Sequence, residues 1–274
     1  MTAAGRPGGE GYLLDNRQAE AGRRLDALAE LFDPVTFRHV SEIGVGAGWA
    51  CWEVGAGGPS VPRWLAGRVG PTGRVLATDI DTGLLEAGPE PPPFEVLRHD
   101  VGVDAPPDGR FDLVHARLVL VHVPRREAAV AAMVDALRPG GWLVLEDADP
   151  ALQPLICPDE YGEVQRLANR LRNGFRDLLA QRGADLGFGR TLPRLLRDAG
   201  LADVRADAYF PITSPACAVL ETATVQQIRG HLVAAGLATD AEIDRHLASV
   251  TGGLLPDLAT SPMISASGRK PPDT

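Results

Sequence analysis

The spacing of apolar and polar positions changes several times along the chain, and those changes divide it. Over residues 16–32 the apolar positions Ala21, Leu25, Leu28, Ala29 and Phe32 fall near helical spacing, and Asp33-Pro34 predicts the end of that helix. Between residues 49 and 147, strand-like runs (49–54, 74–79, 94–99, 111–116, 142–146) alternate with helix-like ones (61–69, 82–87, 127–137). Such alternation implies crossover connections and a doubly wound, mostly parallel sheet with helices on both faces. Beyond Pro150 it breaks. Residues 158–181 read as a long helix carrying Tyr161, Val164, Leu167, Leu171, Phe175 and Leu178, and residues 188–199 as another, closed by Gly200. A strand at 204–210, helical stretches at 219–235 and 240–250, and a short strand at 263–267 complete the pattern. Open α/β sheets bind ligands beyond the carboxyl ends of their strands, so chemistry is expected just after each strand. Helical insertions are expected to cover that crevice.

Two glycine-rich segments compete for the ligand turn: Glu42-Ile43-Gly44-Val45-Gly46-Ala47-Gly48 and Glu53-Val54-Gly55-Ala56-Gly57-Gly58. A turn that receives a phosphate or nucleoside needs a buried strand before it and a helix start after it. The first segment runs into the strand-like residues 49–54, whereas the second runs into Ser60, a candidate N-cap, and the helix-like residues 61–69. The second is therefore the expected ligand turn. It also puts Asp79 at the end of the following strand, where a carboxylate can take both hydroxyls of a ribose. A dinucleotide enzyme shares this arrangement, but Ser60 stands where the third glycine of GxGxxG belongs.

The segments Glu53-Val54-Gly55-Ala56-Gly57-Gly58, Thr78-Asp79-Ile80-Asp81, His99-Asp100-Val101, Phe111-Asp112-Leu113-Val114-His115-Ala116-Arg117 and Leu137-Arg138-Pro139-Gly140-Gly141-Trp142 follow in that order. In this the chain resembles the class I S-adenosylmethionine-dependent methyltransferases, of the bacterial small-molecule type. The turn at Pro139-Gly140-Gly141 is the most telling, because nicotinamide dehydrogenases lack it there. The resemblance implies one domain with a seven-stranded, Rossmann-like sheet: an N-terminal helical lid (1–35), a cofactor-binding core (36–150), a helical insertion (151–199) and closing strands with a second insertion (200–274). It assigns Gly55, Ala56 and Gly57 to the methionine part of S-adenosylmethionine, Asp79 to its ribose, Ile80 to one face of the adenine and Asp100 to the adenine amino group. Glu53 and Val101 join this set, Ala116 or Arg117 would lie near the methionine, and Tyr12 would close over the cofactor. Pro59 departs from the family's usual glycine and removes an N–H donor. Some ubiquinone-biosynthesis relatives carry an E-x-x-E-H metal motif; Leu118 and Val121 occupy those glutamate positions here, so no metal is expected.

Methyl transfer from a sulfonium is an in-line displacement that asks mainly for alignment and exclusion of water. For a hydroxyl acceptor a general base helps, and His122, after the fourth strand, is the candidate, against a plain packing role. His115, inside the strand pattern, reads as structural. Glu146, Asp147 and Asp149 can bind a cation or an amine, although a solvated acidic turn is the preferred reading. Arg117 can meet the cofactor carboxylate or an anionic acceptor, or sit on the surface at a helix start. Trp49, Trp52 and Trp64 read as core.

Composition narrows the partners. Of 274 residues 45% are hydrophobic, and 27 basic against 36 acidic groups give a net charge of −9, so nothing draws the chain to a phosphate backbone. Cys51, Cys157 and Cys217 form no CxxC pair, which fits a reducing cytoplasm. No apolar run is long enough to span a bilayer. The expectation is a cytoplasmic enzyme that methylates a small molecule in specialised metabolism, with O-methylation marginally preferred. Its rivals are a same-fold enzyme using the cofactor as a scaffold for cyclisation or rearrangement, and a nucleoside-cofactor sensor. A peptide acceptor and a homodimer stay open.

Overall fold

The computed structural model describes residues 21–87 and 90–272. The strands β1 (Ala50–Val54), β2 (Arg74–Asp79), β3 (Glu95–Arg98), β4 (Phe111–Arg117), β5 (Leu137–Ala148), β6 (Ala202–Tyr209) and β7 (Met263–Arg269) form one seven-stranded sheet in the order β3-β2-β1-β4-β5-β7-β6. β7 is antiparallel to both its neighbours and the other pairs are parallel. Sequence order reverses between β1 and β4, which puts the switch point beside the turn that follows β1.

Parallel register places side chains two by two on the sheet's faces. One face carries Cys51, Val75, Ala77, Leu113 and Val144, packed against α1 (Ala21–Glu42) and α2 (Ser60–Val69) through Val40, Val61, Leu65 and Val69. The other carries Trp52, Val54, Leu76, Val114, Ala116, Leu143 and Leu145 against α4 (Arg126–Ala136) and α6 (Leu192–Asp198). Both faces are covered, as near-continuous apolar strands require. The short helix α3 (Gly83–Glu86) follows β2. Trp52 is fully buried on one face, whereas Trp49 and Trp64 pack half-buried on the other, Trp64 stacked on Phe37 at 4.5 Å. The Leu137-Arg138-Pro139-Gly140-Gly141 segment, expected as a turn, lies within β5 where its register against β4 shifts, packed so closely that a Cβ at Gly141 would lie 2.9 Å from the Phe111 carbonyl oxygen, which requires glycine there.

Beyond β5 come α5 (Glu163–Gln181), α7 (Pro215–Ala234) and α8 (Asp240–Thr251). Leu167, Leu171, Val225, Ile228, Leu232 and Ile243 bind these three helices together. A separate cluster of Ala27, Leu31 and Phe32 with Ile156, Cys157, Ala168, Ala216, Cys217 and Leu220 joins them to α1. No described helix is long and apolar enough to cross a membrane.

Several boundaries differ from expectation: β5 begins at Leu137 rather than Trp142 and α7 at Pro215 rather than Val219, and three further differences have a clear cause. Asp33-Pro34 does not end the first helix; α1 runs through Pro34 to Glu42. Proline in a helix interior costs about 3 kcal/mol. The buried stripe continues past it through Thr36 and Val40, so burial on the sheet outweighs the lost hydrogen bond. Ser60 is the first helical residue rather than the cap; Pro59 holds the cap position and no side chain caps that end. The long helix starts at Glu163, leaving Tyr161 outside it and exposed.

Candidate active site

β1 ends at Val54, and the chain turns through residues 55–59 before α2, with Gly55 and Gly57 at positive φ (60° and 62°). Gly57 donates its N–H to Asp79 Oδ2 at 2.8 Å, and Asp81 donates to Asp79 Oδ1 at 3.0 Å. Each oxygen of this buried carboxylate keeps a lone pair for a further donor. Burial raises the Asp79 pKa, and the two N–H groups oppose that shift. Ile80 follows with 60% of its surface exposed, an apolar shelf beside the carboxylate. After β3, Asp100 is exposed and takes the Gly102 N–H on Oδ1 at 2.9 Å, while Val101 packs half-buried on the core. A carboxylate that can accept from paired hydroxyls, an apolar shelf and a second carboxylate acceptor form a set suited to a ribose and an aminopurine. The glycine turn, Asp79, Ile80, Asp100 and Val101 are thus gathered at one edge of the sheet, as the sequence predicted.

Across the switch point β4 ends in a reversal. Leu118 has φ 59°, an uncommon conformation for leucine, and donates its N–H to the Glu146 carbonyl at 2.8 Å. The next residue, Val119, stands against the turn: a Cβ at Gly55 would fall inside van der Waals contact of Val119 Cγ2. His122 closes a one-turn 3-10 helix, Leu120–His122. Packing around its ring, then the charges of Arg24 and Arg126, lower its pKa, although the residue as a whole is exposed. Asp147 anchors this turn by accepting the Val121 N–H at 3.1 Å, and burial raises its pKa to about 7.

The α1-facing side of the sheet holds a buried polar stripe. His115 Nδ1 lies 2.7 Å from Glu53 Oε2 and its Nε2 3.4 Å from Glu146 Oε2. Glu146 Oε2 also receives the Thr36 hydroxyl, while Oε1 takes the Ser265 hydroxyl at 2.7 Å and faces His39 Nδ1 at 3.1 Å. His39 reaches on to Asp207, which Arg38 pairs at 2.9 Å. Burial disfavours the charge on His115, yet Glu53 and Glu146 outweigh it and raise its pKa to about 9. The same contacts hold Glu146 well below the usual carboxylate range.

The acids at the end of β5 are not a solvated turn. Glu146, Asp147 and Asp149 are all buried, the last clasped by both ends of the Arg190 guanidinium and held below its ordinary pKa. Among the described residues no cluster of His, Cys, Asp and Glu is arranged to hold a metal ion. Arg117 is not a free surface group either: it binds Asp33 at 2.8 Å and Thr36 Oγ1 at 3.0 Å, both on α1. Ala116 points to the opposite face, into the core. Tyr12 lies outside the described residues. Sequence reasoning missed Asp33, Thr36, His39 and Ser265. Strand parity would have put Glu53, His115 and Glu146 on one face, but nothing local announces partners on α1 and β7.

A family model described as "Methyltransferase domain" matches residues 52–145, the span from β1 through most of β5. Methyltransferase str2 of Strobilurus tenacellus is 28% identical over 236 residues, covering 82% of this chain and 81% of that protein. Methyltransferase str3 of the same fungus is 30% identical, covering 69% of this chain and 65% of its own length. The solved phosphoethanolamine N-methyltransferase 2 of Haemonchus contortus, in complex with phosphomonomethylethanolamine and S-adenosylhomocysteine, superposes with a TM-score of 0.57 at 14% identity. That superposition covers 94% of this chain and 59% of the nematode enzyme, and it shows a shared fold. Together with the sheet order and the turn clasped to Asp79, these matches support a class I S-adenosylmethionine-dependent methyltransferase.

Proposed function

We propose that this enzyme transfers the methyl group of S-adenosylmethionine to a hydroxyl of a small, largely apolar acceptor, in specialised metabolism. The observation that carries the reading is the clasp of Gly57 on Asp79 beside the exposed Ile80. In this reading Asp79 takes the ribose hydroxyls, Ile80 and Val101 flank the adenine, and Asp100 accepts from its amino group. Gly55, Ala56 and Gly57 pass beneath the methionine arm and Glu53 meets its amino group. Ala116 lines that end through its backbone, and Arg117 acts by docking α1.

When bound, the cofactor supplies an electrophilic methyl on sulfur; the chain has only to align the acceptor, keep water out and accept a proton. The helices α1, α5 and α7 serve as the cover. Leu28, Leu118 and Val164 stay half-buried at the edge of the apolar cluster these elements share, and they offer the acceptor an apolar wall. His122, on the turn after β4, is the side chain proposed to take the hydroxyl proton.

Calorimetric titration with S-adenosylhomocysteine and with a nicotinamide dinucleotide tests the cofactor assignment, and only the first is expected to bind. Incubation with methyl-labelled S-adenosylmethionine and a panel of phenols, carboxylic acids, amines and activated carbon acids then reads the acceptor atom. Label on nitrogen or carbon alone would overturn the preference for oxygen. A cofactor recovered intact beside a rearranged acceptor would overturn methyl transfer.

A further inference from the structure

Glu53 sits one residue before the end of β1 with its carboxylate buried, and its side chain is long enough to adopt several rotamers. Among the described residues the one hydrogen bond reaching that carboxylate comes from His115 and engages Oε2, leaving Oε1 for another donor. His115 is fully buried in mid-strand and cannot touch a ligand itself. Its other nitrogen faces Glu146, and Glu146 is the carboxylate on which α1 is seated through Thr36 and His39. α1 meets the site a second time: Leu25 Cδ2 lies 3.2 Å from the place a Cβ on Gly57 would take. One helix therefore rests on both ends of a line running from the glycine turn through Glu53, His115 and Glu146.

We infer that His115 is a positioning residue that holds Glu53 toward the amino-acid arm of the cofactor, and that through Glu146 it couples capture of that arm to the docking of α1 on the sheet. The inference rests on the reading above that Glu53 meets the arm's amino group. Physically, a carboxylate held in one rotamer before the ligand arrives spares the ordering cost at binding. A buried ion pair adds little to stability compared with apolar packing. What the His115 contacts secure is a direction for Glu53 and a common anchor for the helix above it.

Two probes separate this role from a merely structural one: S-adenosylhomocysteine, which carries the arm, and 5′-methylthioadenosine, the same nucleoside thioether without it. Thr36→Val keeps the shape of a residue on α1 and removes its hydrogen bond to Glu146; His115→Gln keeps an N–H for Glu53 and removes the charge. Each is expected to weaken S-adenosylhomocysteine about tenfold while 5′-methylthioadenosine stays within about twofold. Adding Thr36→Val to Glu53→Gln should cost no further affinity, because the path it acts through is already cut. In the parent protein, hydrogen exchange of residues 33–40 should slow with S-adenosylhomocysteine and not with 5′-methylthioadenosine, and Thr36→Val should abolish that slowing. Equal weakening of both ligands, no weakening of either, or additive losses in the double variant would overturn the inference. Should His115→Gln fail to fold, Thr36→Val decides alone. Failure of the parent to bind either nucleoside would instead overturn the cofactor reading beneath it.

Discussion

Glu146→Gln is the sharpest perturbation of the stripe beneath α1, because it preserves shape and removes one charge. The carboxylate now takes the Ser265 and Thr36 hydroxyls and faces His39 and His115. An amide offers one acceptor oxygen and turns two N–H donors toward groups that themselves donate, so one side of the site loses its acceptor. His115 keeps only Glu53 as a counter-charge. Removing one partner of a buried pair costs about 3 to 5 kcal/mol, and a loss of about 3 kcal/mol is expected from urea unfolding at neutral pH.

The pH dependence gives the argument a second edge. A histidine whose pKa rises from 6.5 unfolded to about 9 folded adds stability that is fully present below 6.5 and lost as pH climbs through 9, since the native state holds the proton longer. His39, also raised, acts in the same sense. From about pH 7 to 8.5 Asp147, whose titration centres near 7, and the thiols, about half ionised in the unfolded chain by 8.5, also lower stability, but they do so alike in the parent and in Glu146→Gln and cancel in the difference. Over that window one such histidine removes about 2 kcal/mol from the parent. Glu146→Gln lowers the His115 pKa, so its stability should be smaller at pH 7 and flatter with pH. A loss under about 1 kcal/mol, or a pH slope parallel to the parent's, would refute the view that this stripe is ionised and coupled.

Asp79→Ala removes the acceptor proposed for both ribose hydroxyls and should weaken S-adenosylhomocysteine about a hundredfold by calorimetry; a change under about threefold would place the ribose elsewhere. Gly55→Ala should destabilise by about 2 kcal/mol, from positive φ and from Val119, with Val119→Ala in the same chain recovering about half in thermal melts. Lost cofactor binding in a Gly55 variant would therefore not by itself prove ligand contact. Full recovery by Val119→Ala would show that the φ of Gly55 carries no strain. With Leu118 and Val121 where a metal-dependent relative has glutamates, chelator-treated enzyme should keep its methyl transfer. Loss on chelation with recovery on magnesium would refute that.

The sheet and its ligand edge were legible because they depend on local pattern: alternating runs gave the strands, a strand–glycine–helix order chose residues 55–58 over 44–48, and Asp79 followed from its place at a strand end. Pro34 misled because residue propensity was weighed without the buried stripe that continues beyond it. Glu146-Asp147 misled for a deeper reason. Two consecutive acids read as polar surface, yet in a strand covered on both sides they must point to opposite faces, and each is buried there. Their fates then diverge through partners alone. Two imidazoles hold Glu146 ionised, whereas backbone N–H groups only partly offset the burial that raises Asp147 to about 7. The residues that decide this, Thr36 and His39 on α1 and Ser265 on β7, lie more than a hundred positions away. Parity along one strand can therefore predict which face an acid takes, but its charge is set by contacts that exist only once α1 and β7 have closed over it.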